Sequence, residues 1–330
     1  MTKVSKASIG ESPDSISAQV ELWTYVAQVR PDIERALLSY LPLANARLDT
    51  KFNEALHYAL FPGGKRLRPV LTLLGAEIVG GCATDVLAAA VAVEYVHTSS
   101  LIFDDLPCMD NASERRGQSS LHARYGEGLA VLVALALMNA SYGLVFEHAT
   151  PEKAARAINA HKELVECIGA RGMVAGQSVD LAEAFAPPFG SGDTAPQSSG
   201  DNNFAVDTYD AVRNLKTSAL MRLALRVGAI LSGATPEQLA ALSRFAELLG
   251  DAYQTRDDVL DLQEDAALST GSTAGRRATF ALERGAQDAG RRVVRLVAEA
   301  KDVLASEFAS SSPSVRLLCQ MADYIATRHA

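Results

Sequence analysis

Apolar residues recur along most of the chain at the three- and four-residue spacing of helices that bury one face. The pattern sets in near Ala18 and returns to the C-terminus in stretches of about 15 to 25 residues. Two stretches are apolar almost all round: "CATDVLAAAVAVEYVHTSSLIF" (82–103) and "LAVLVALALMNASYGLVFEHA" (129–149). Both are dense in Ala and Leu, which favour helix. Gly128, Asn139, Ser141 and Gly143 dilute the second, so it reads as a core helix rather than a membrane span. No alternating run between turn residues predicts a strand. The expectation is an all-α chain.

Two segments interrupt this pattern. "LFPGGKRLRP" (60–69) is a turn with two glycines and three basic residues that opens the next helix. "FAPPFGSGDTAPQSSGDNN" (185–203) has the Pro, Gly and Ser content of a long mobile loop. Residues 1–17 read as a flexible tail without the apolar core of a secretory signal. Residues 18–330 then form a single domain, since no composition shift or repeat divides them.

With 330 residues, 48% of them hydrophobic, the chain can bury a large core. Its net charge of -8 argues against a nucleic-acid binder but leaves room for a local basic pocket. Cys82, Cys108, Cys167 and Cys319 show no CxxC spacing. They read as reduced thiols in a cytoplasmic protein.

The chemistry concentrates where the apolar pattern is broken by acids. Leu101, Ile102 and Phe103 run into Asp104 and Asp105, then Pro107, then Asp110. Like charges in an apolar helix need a positive partner. Pro107 cannot continue the helix, so Asp110 is expected to fold back toward Asp104. A second cluster, Asp257, Asp258 and Asp261, sits among Val259, Leu260 and Leu262, with Asp257 and Asp261 on one helical face. Oxygen-only ligands select a hard cation, and Mg2+ takes one or two carboxylates with water and phosphate in its other positions. The pattern therefore suggests two carboxylate walls gripping a diphosphate through Mg2+.

Five motifs, in order, resemble the trans-type isoprenyl diphosphate synthases of the polyprenyl synthetase family: "GGKRLRP" (63–69), "HTSSLIFDDLPCMDNASERRG" (97–117), "GQSVDL" (176–181), "KTSAL" (216–220) and "YQTRDDVLD" (253–261). The resemblance runs from about Asn53 to Thr279, and "DDLPCMDN" with "RRG" is closest to the bacterial and plastid geranylgeranyl type. It implies a bundle of antiparallel helices around a deep central cavity, a homodimer, and Mg2+ as cofactor, three ions per site, with Mn2+ as a substitute. It implies isopentenyl diphosphate as one substrate and dimethylallyl, geranyl or farnesyl diphosphate as the other.

By resemblance, Asp104, Asp105 and Asp110 form the first metal motif and Asp257, Asp258 and Asp261 the second. Arg115 would touch the allylic diphosphate, and Arg116 that of isopentenyl diphosphate. Lys65, Arg68 and His97 would complete the isopentenyl pocket, with Arg66 outside it. Lys216, Thr217 and Gln254 are expected beside the allylic diphosphate and the developing cation, with Gln177 and Asp180 as polar support. Metals and cations would stabilise charge on the departing diphosphate, which then accepts the proton lost on condensation. The 185–203 loop and the C-terminal segment are expected to keep water out.

Product length is expected to follow the helix below Asp104. Ser99 and Ser100 replace the aromatic that blocks fifteen-carbon members of the family, with Val96 a turn deeper. This implies growth beyond farnesyl diphosphate. Two family lysines read Ser272 and Arg277 here, and a Gly-Asp-Ala-Leu segment reads "LVALALM" (132–138). These departures keep open a non-catalytic partner subunit, and the part that neighbouring helices play in the floor keeps open a farnesyl or longer-chain synthase. A class I terpene cyclase shares the metal motifs but needs no "GGKRLRP" pocket.

Overall fold

The structure, a computed structural model, describes residues 20–45, 47, 51–61, 63–184, 202–267 and 285–328. These residues form helices α1 Val20–Ser39, α2 Phe52–Leu60, α3 Leu67–Glu77, α4 Leu87–Asp105, α5 Leu121–Tyr125, α6 Glu127–Leu144, α7 Ala154–Ile168, α8 Met173–Ala184, α9 Asn202–Ser232, α10 Pro236–Ala267, α11 Ala286–Glu307 and α12 Pro313–Thr327. The all-α expectation holds. The tail lies outside the described residues, as does 185–201. Asn202 and Asn203, expected in the loop, open α9 instead.

Helix α4 explains its own sequence. Sixteen of its 19 residues are buried, so no polar stripe is needed and Ala88 to Ala92 let neighbours approach. It packs chiefly on α6, with α3 and α9 also against it. Helices α3 and α9 meet closely: a Cβ on Gly228 would lie 2.0 Å from the Thr72 carbonyl, and one on Gly75 would lie 2.1 Å from that of Leu225. Only glycine permits that approach. Helices α9, α10 and α11 pack in succession.

One element was not expected. Glu114–Arg115 (β1) and Gln118–Ser119 (β2) pair antiparallel, Arg115 opposite Gln118. The turn between them is Arg116 and Gly117, with φ of 56° and 73°. Positive φ at both central residues is the hairpin turn whose twist matches the strands. The Tyr58 hydroxyl donates to the Ser119 carbonyl at 2.8 Å and ties the hairpin to α2.

Among the described residues, two helices are long and apolar enough to cross a membrane by composition. The window in α4 is 78% buried inside the protein and that in α6 only 33%.

Candidate active site

The first acidic wall closes as Pro107 demands. Helix α4 stops at Asp105, and the Asp110 amide folds back to donate to the Asp104 carbonyl at 2.9 Å. Asn111, with φ of 50°, completes the reversal. The Asp104 and Asp105 carboxylates are buried, at 7% and 4% exposure. Arg115 on the hairpin donates from Nε to Asp105 Oδ1 at 3.0 Å and from Nη2 to the same oxygen. That bond holds the Arg115 guanidinium above its ordinary value against burial, with the charges of Asp105, Asp104 and Asp110 adding to it. On α8, Gln177 donates to the Met109 sulfur at 3.6 Å, beside the same turn.

Below this wall lies a group of cations. Arg68, in the first turn of α3, approaches His97 on α4, with Nη1 to Nε2 at 3.2 Å. A guanidinium only donates, so Nε2 accepts and the imidazole proton sits on Nδ1. His97 Nδ1 and Arg68 Nε are both sealed from solvent without a hydrogen-bond partner. Arg116 lies against the "GG" turn, 3.2 Å from where a Cβ on Gly64 would stand. Burial pushes His97 well below its ordinary value, and the charges of Arg68, Arg116, Arg66 and Arg115 push it further. Burial also lowers Arg68 and Arg116, with Arg116 repelling Arg68 and Arg66 repelling Arg116. Two buried donors without acceptors, among mutually repelling guanidiniums, are groups that a bound anion would satisfy.

The second wall is on α10. Asp258 is 7% exposed, and Gln254 donates to it at 3.4 Å. Tyr253, beside Gln254, acts electrostatically on both Arg68 and Arg116, which brings this wall to the cationic group. Asp257 pairs with Arg328 just past α12. The Arg328 guanidinium lies 3.8 Å from the Tyr253 ring centroid, and its carbonyl accepts from Arg256 at 3.0 and 2.9 Å. The C-terminal segment thus reaches the second aspartate pair through Arg328, a residue that no sequence motif marks.

The structure gathers Asp104, Asp105, Arg115, Arg116, Arg68 and His97 on α3, α4 and the hairpin, with Asp110 in the turn that joins α4 to the hairpin. Lys65 stands apart: its amine donates to the Tyr324 hydroxyl on α12 and lies 5.0 Å from that ring's centroid. Thr217 is half-buried on α9. Lys216 and Asp261 lie on α9 and α10, with side chains outside the described residues, as are Asp180's side chain and both Ser272 and Arg277. Val96 and Ser99 are fully buried and Ser100 nearly so. The Ser99 hydroxyl lies 2.8 Å from the Tyr95 carbonyl and 3.0 Å from that of Ala134 on α6, in the α4–α6 seam. Ser100 donates to the His97 carbonyl at 2.8 Å.

No three His, Cys, Asp or Glu side chains form a ready metal cage among the described residues. The walls instead offer oxygen donors singly and in pairs, which suits Mg2+ when phosphate and water fill its other positions.

Known proteins resemble this chain over most of its length. Residues 49–276 match the family model described as polyprenyl synthetase. Geranylgeranyl pyrophosphate synthase 11, chloroplastic, of Arabidopsis thaliana is 34% identical over 97% of this chain and 85% of its own. The large subunit 1 of a heterodimeric geranylgeranyl pyrophosphate synthase, chloroplastic, from the same plant is 33% identical over 93% of this chain and 80% of its own. The crystal structure of an FPP/GFPP synthase from Zymomonas mobilis superposes with a TM-score of 0.78 at 30% identity, covering 93% of this chain and 99% of that one. The chain belongs to the polyprenyl synthetase family.

Proposed function

We propose that the chain is a trans-prenyltransferase that condenses isopentenyl diphosphate head-to-tail with dimethylallyl, geranyl or farnesyl diphosphate, ending at geranylgeranyl diphosphate. The observation that carries this is the anion site formed by Arg68, His97 and Arg116 next to, but separate from, the carboxylate walls. A reaction with one diphosphate substrate has no use for it. This separates the reading from a terpene cyclase.

Asp104, Asp105 and Asp110, with Asp257, Asp258 and Asp261 opposite, would hold Mg2+, which supplies positive charge for a departing allylic diphosphate. The chain's own residues do the rest. Arg115, braced on Asp105, offers its remaining N–H donors to the allylic diphosphate. Arg68 Nε and His97 Nδ1 donate to the diphosphate of isopentenyl diphosphate, and Arg116 neutralises it. Lys216 supplies charge to the leaving group, while Thr217 and Gln254 turn oxygen dipoles toward the developing allylic cation. His97, neutral at physiological pH, serves as a donor to the diphosphate. The released diphosphate is the proton acceptor.

Small side chains at Ser99 and Ser100, above Val96, support growth past fifteen carbons, and relatives described as geranylgeranyl pyrophosphate synthases support a stop at twenty. The purified chain, given Mg2+, labelled isopentenyl diphosphate and each primer, should yield a twenty-carbon alcohol after dephosphorylation. A fifteen-carbon end product would refute the serine argument, and no condensation with any primer would favour a partner subunit.

The exposed apolar side of α6 supports a homodimer. Leu132 and Leu135 are 54% and 56% exposed there, with Val131 beside them and Phe146 just beyond the helix. Light scattering should report a dimer, and Leu132→Asp with Leu135→Asp should give a monomer. Partition of the wild type into membranes would point instead to a lipid-facing helix.

A further inference from the structure

The proposed chemistry leaves Lys65 and Arg66 of "GGKRLRP" unused, and Arg66 is the most completely bonded of the motif's basic residues. Its guanidinium is 1% exposed. Nε donates to Glu34 Oε1 at 3.0 Å and Nη2 to Glu34 Oε2 at 3.2 Å, a two-point grip on α1. Nη2 also donates to the Leu60 carbonyl at the end of α2, at 2.7 Å. Nη1 donates to Glu94 Oε1 on α4 at 2.6 Å, and the Glu94 side chain is 3% exposed. One side chain thus fastens α1, α2 and α4 to the start of α3.

The backbone is bent to allow this. Arg66 has φ of 55°, an unusual conformation for a bulky side chain that persists only when its surroundings hold it. A Cβ on Gly63 would stand 1.9 Å from the Arg66 guanidinium carbon. The first glycine of the motif therefore makes room for Arg66.

Register is the consequence. Arg68 lies two residues beyond Arg66, on α3. His97 lies three residues beyond Glu94 on α4, on the same helical face. From the Arg66–Glu94 bond and the seat at Gly63, the geometry points to Arg66 as a positioning residue that sets the Arg68–His97 spacing and thereby specifies affinity for the diphosphate of isopentenyl diphosphate. The inference rests on the proposed two-diphosphate reaction and adds to it the part that holds one pocket in shape.

Three variants test this in the full chain: Arg66→Lys, Glu94→Gln and Gly63→Ala. The last displaces the guanidinium without removing any charge. KM is measured for isopentenyl diphosphate and, separately, for farnesyl diphosphate, with thermal melting as the check on folding. A misplacement of about 1 Å costs on the order of a hundredfold in such sites. The expected result is a rise of about tenfold or more in KM for isopentenyl diphosphate, with KM for farnesyl diphosphate within about twofold. Equal movement of both constants, no movement in folded variants, or failure of all three to fold would overturn the inference. Absence of condensation by the wild type would instead overturn the proposed function, so the two failures are distinct.

Discussion

Arg68 and Arg66 are two residues apart in one motif, and their replacement by methionine should give very unequal losses of stability. Burial and the neighbouring Arg116 charge both oppose the Arg68 cation, and its Nε has no acceptor. In the free protein this charge contributes little to folding, and an apolar side chain of similar length removes a buried cation. The lost contact with His97 is worth about 1 kcal/mol. Unfolding entropy near 2.1 cal/mol/K per residue makes 1 kcal/mol worth about 1.5 °C of Tm in a chain this long. Arg68→Met should therefore melt within about 2 °C of the wild type. Arg66→Met strands the buried Glu94 carboxylate, a loss of about 3–5 kcal/mol, or roughly 4–7 °C. Substrate affinity separates the pair differently. A hydrogen bond to a charged group is worth about 1.5–3 kcal/mol, so Arg68→Met should raise KM for isopentenyl diphosphate by about ten- to 150-fold. Calorimetry of both variants, beside steady-state kinetics, makes the comparison. A large fall in Tm for Arg68→Met with KM unchanged would show that Arg68 braces the fold, and the anion site would be refuted.

Other consequences are quicker to check. His97 is held below its ordinary value of 6.5 in the folded chain, so on acidification the unfolded state takes up its proton first. Its share of stability is present above pH 6.5 and declines as the pH drops below that; His97→Gln should flatten the fall in Tm between pH 7 and pH 5.5. Arg328→Ala removes the cation that holds Asp257 and should lower the Mg2+ concentration for half-maximal thermal stabilisation in the presence of inorganic pyrophosphate; an unchanged midpoint would refute a link between the C-terminal segment and the second wall. Iodoacetamide should label exposed Cys82 and Cys108 in the folded protein but leave Cys167, whose thiol burial pushes up to about 12, until the chain unfolds.

The bundle and the first wall were legible in the sequence because both rest on local chemistry. The unbroken apolar run of α4 specifies a helix buried on every side, and Pro107 forces the reversal that returns Asp110 to Asp104. The hairpin was not, because two-residue strands carry no alternation. Its one signal was Gly117, which suits a turn position of positive φ, while Arg116 before it is not a residue that such a turn favours. The Arg66 clamp was not legible either, since its partners Glu94 and Glu34 lie 28 and 32 residues away and many acids could have paired with it. A lone Glu94 inside an apolar helix was the available hint, for the same reason that Asp104 and Asp105 were. The motif groups Lys65 with Arg68, but α12 brings Tyr324 close enough to hold it.

The most direct test of a two-diphosphate site is the stoichiometry of diphosphate release. With Mg2+ and farnesyl diphosphate alone, the chain should release almost no inorganic pyrophosphate. Adding isopentenyl diphosphate should start release, with one pyrophosphate and one twenty-carbon diphosphate formed for each isopentenyl diphosphate consumed. Release from farnesyl diphosphate at the same rate without isopentenyl diphosphate would contradict a two-substrate site and would make the cationic group around Arg68, His97 and Arg116 a feature without a role in the reaction.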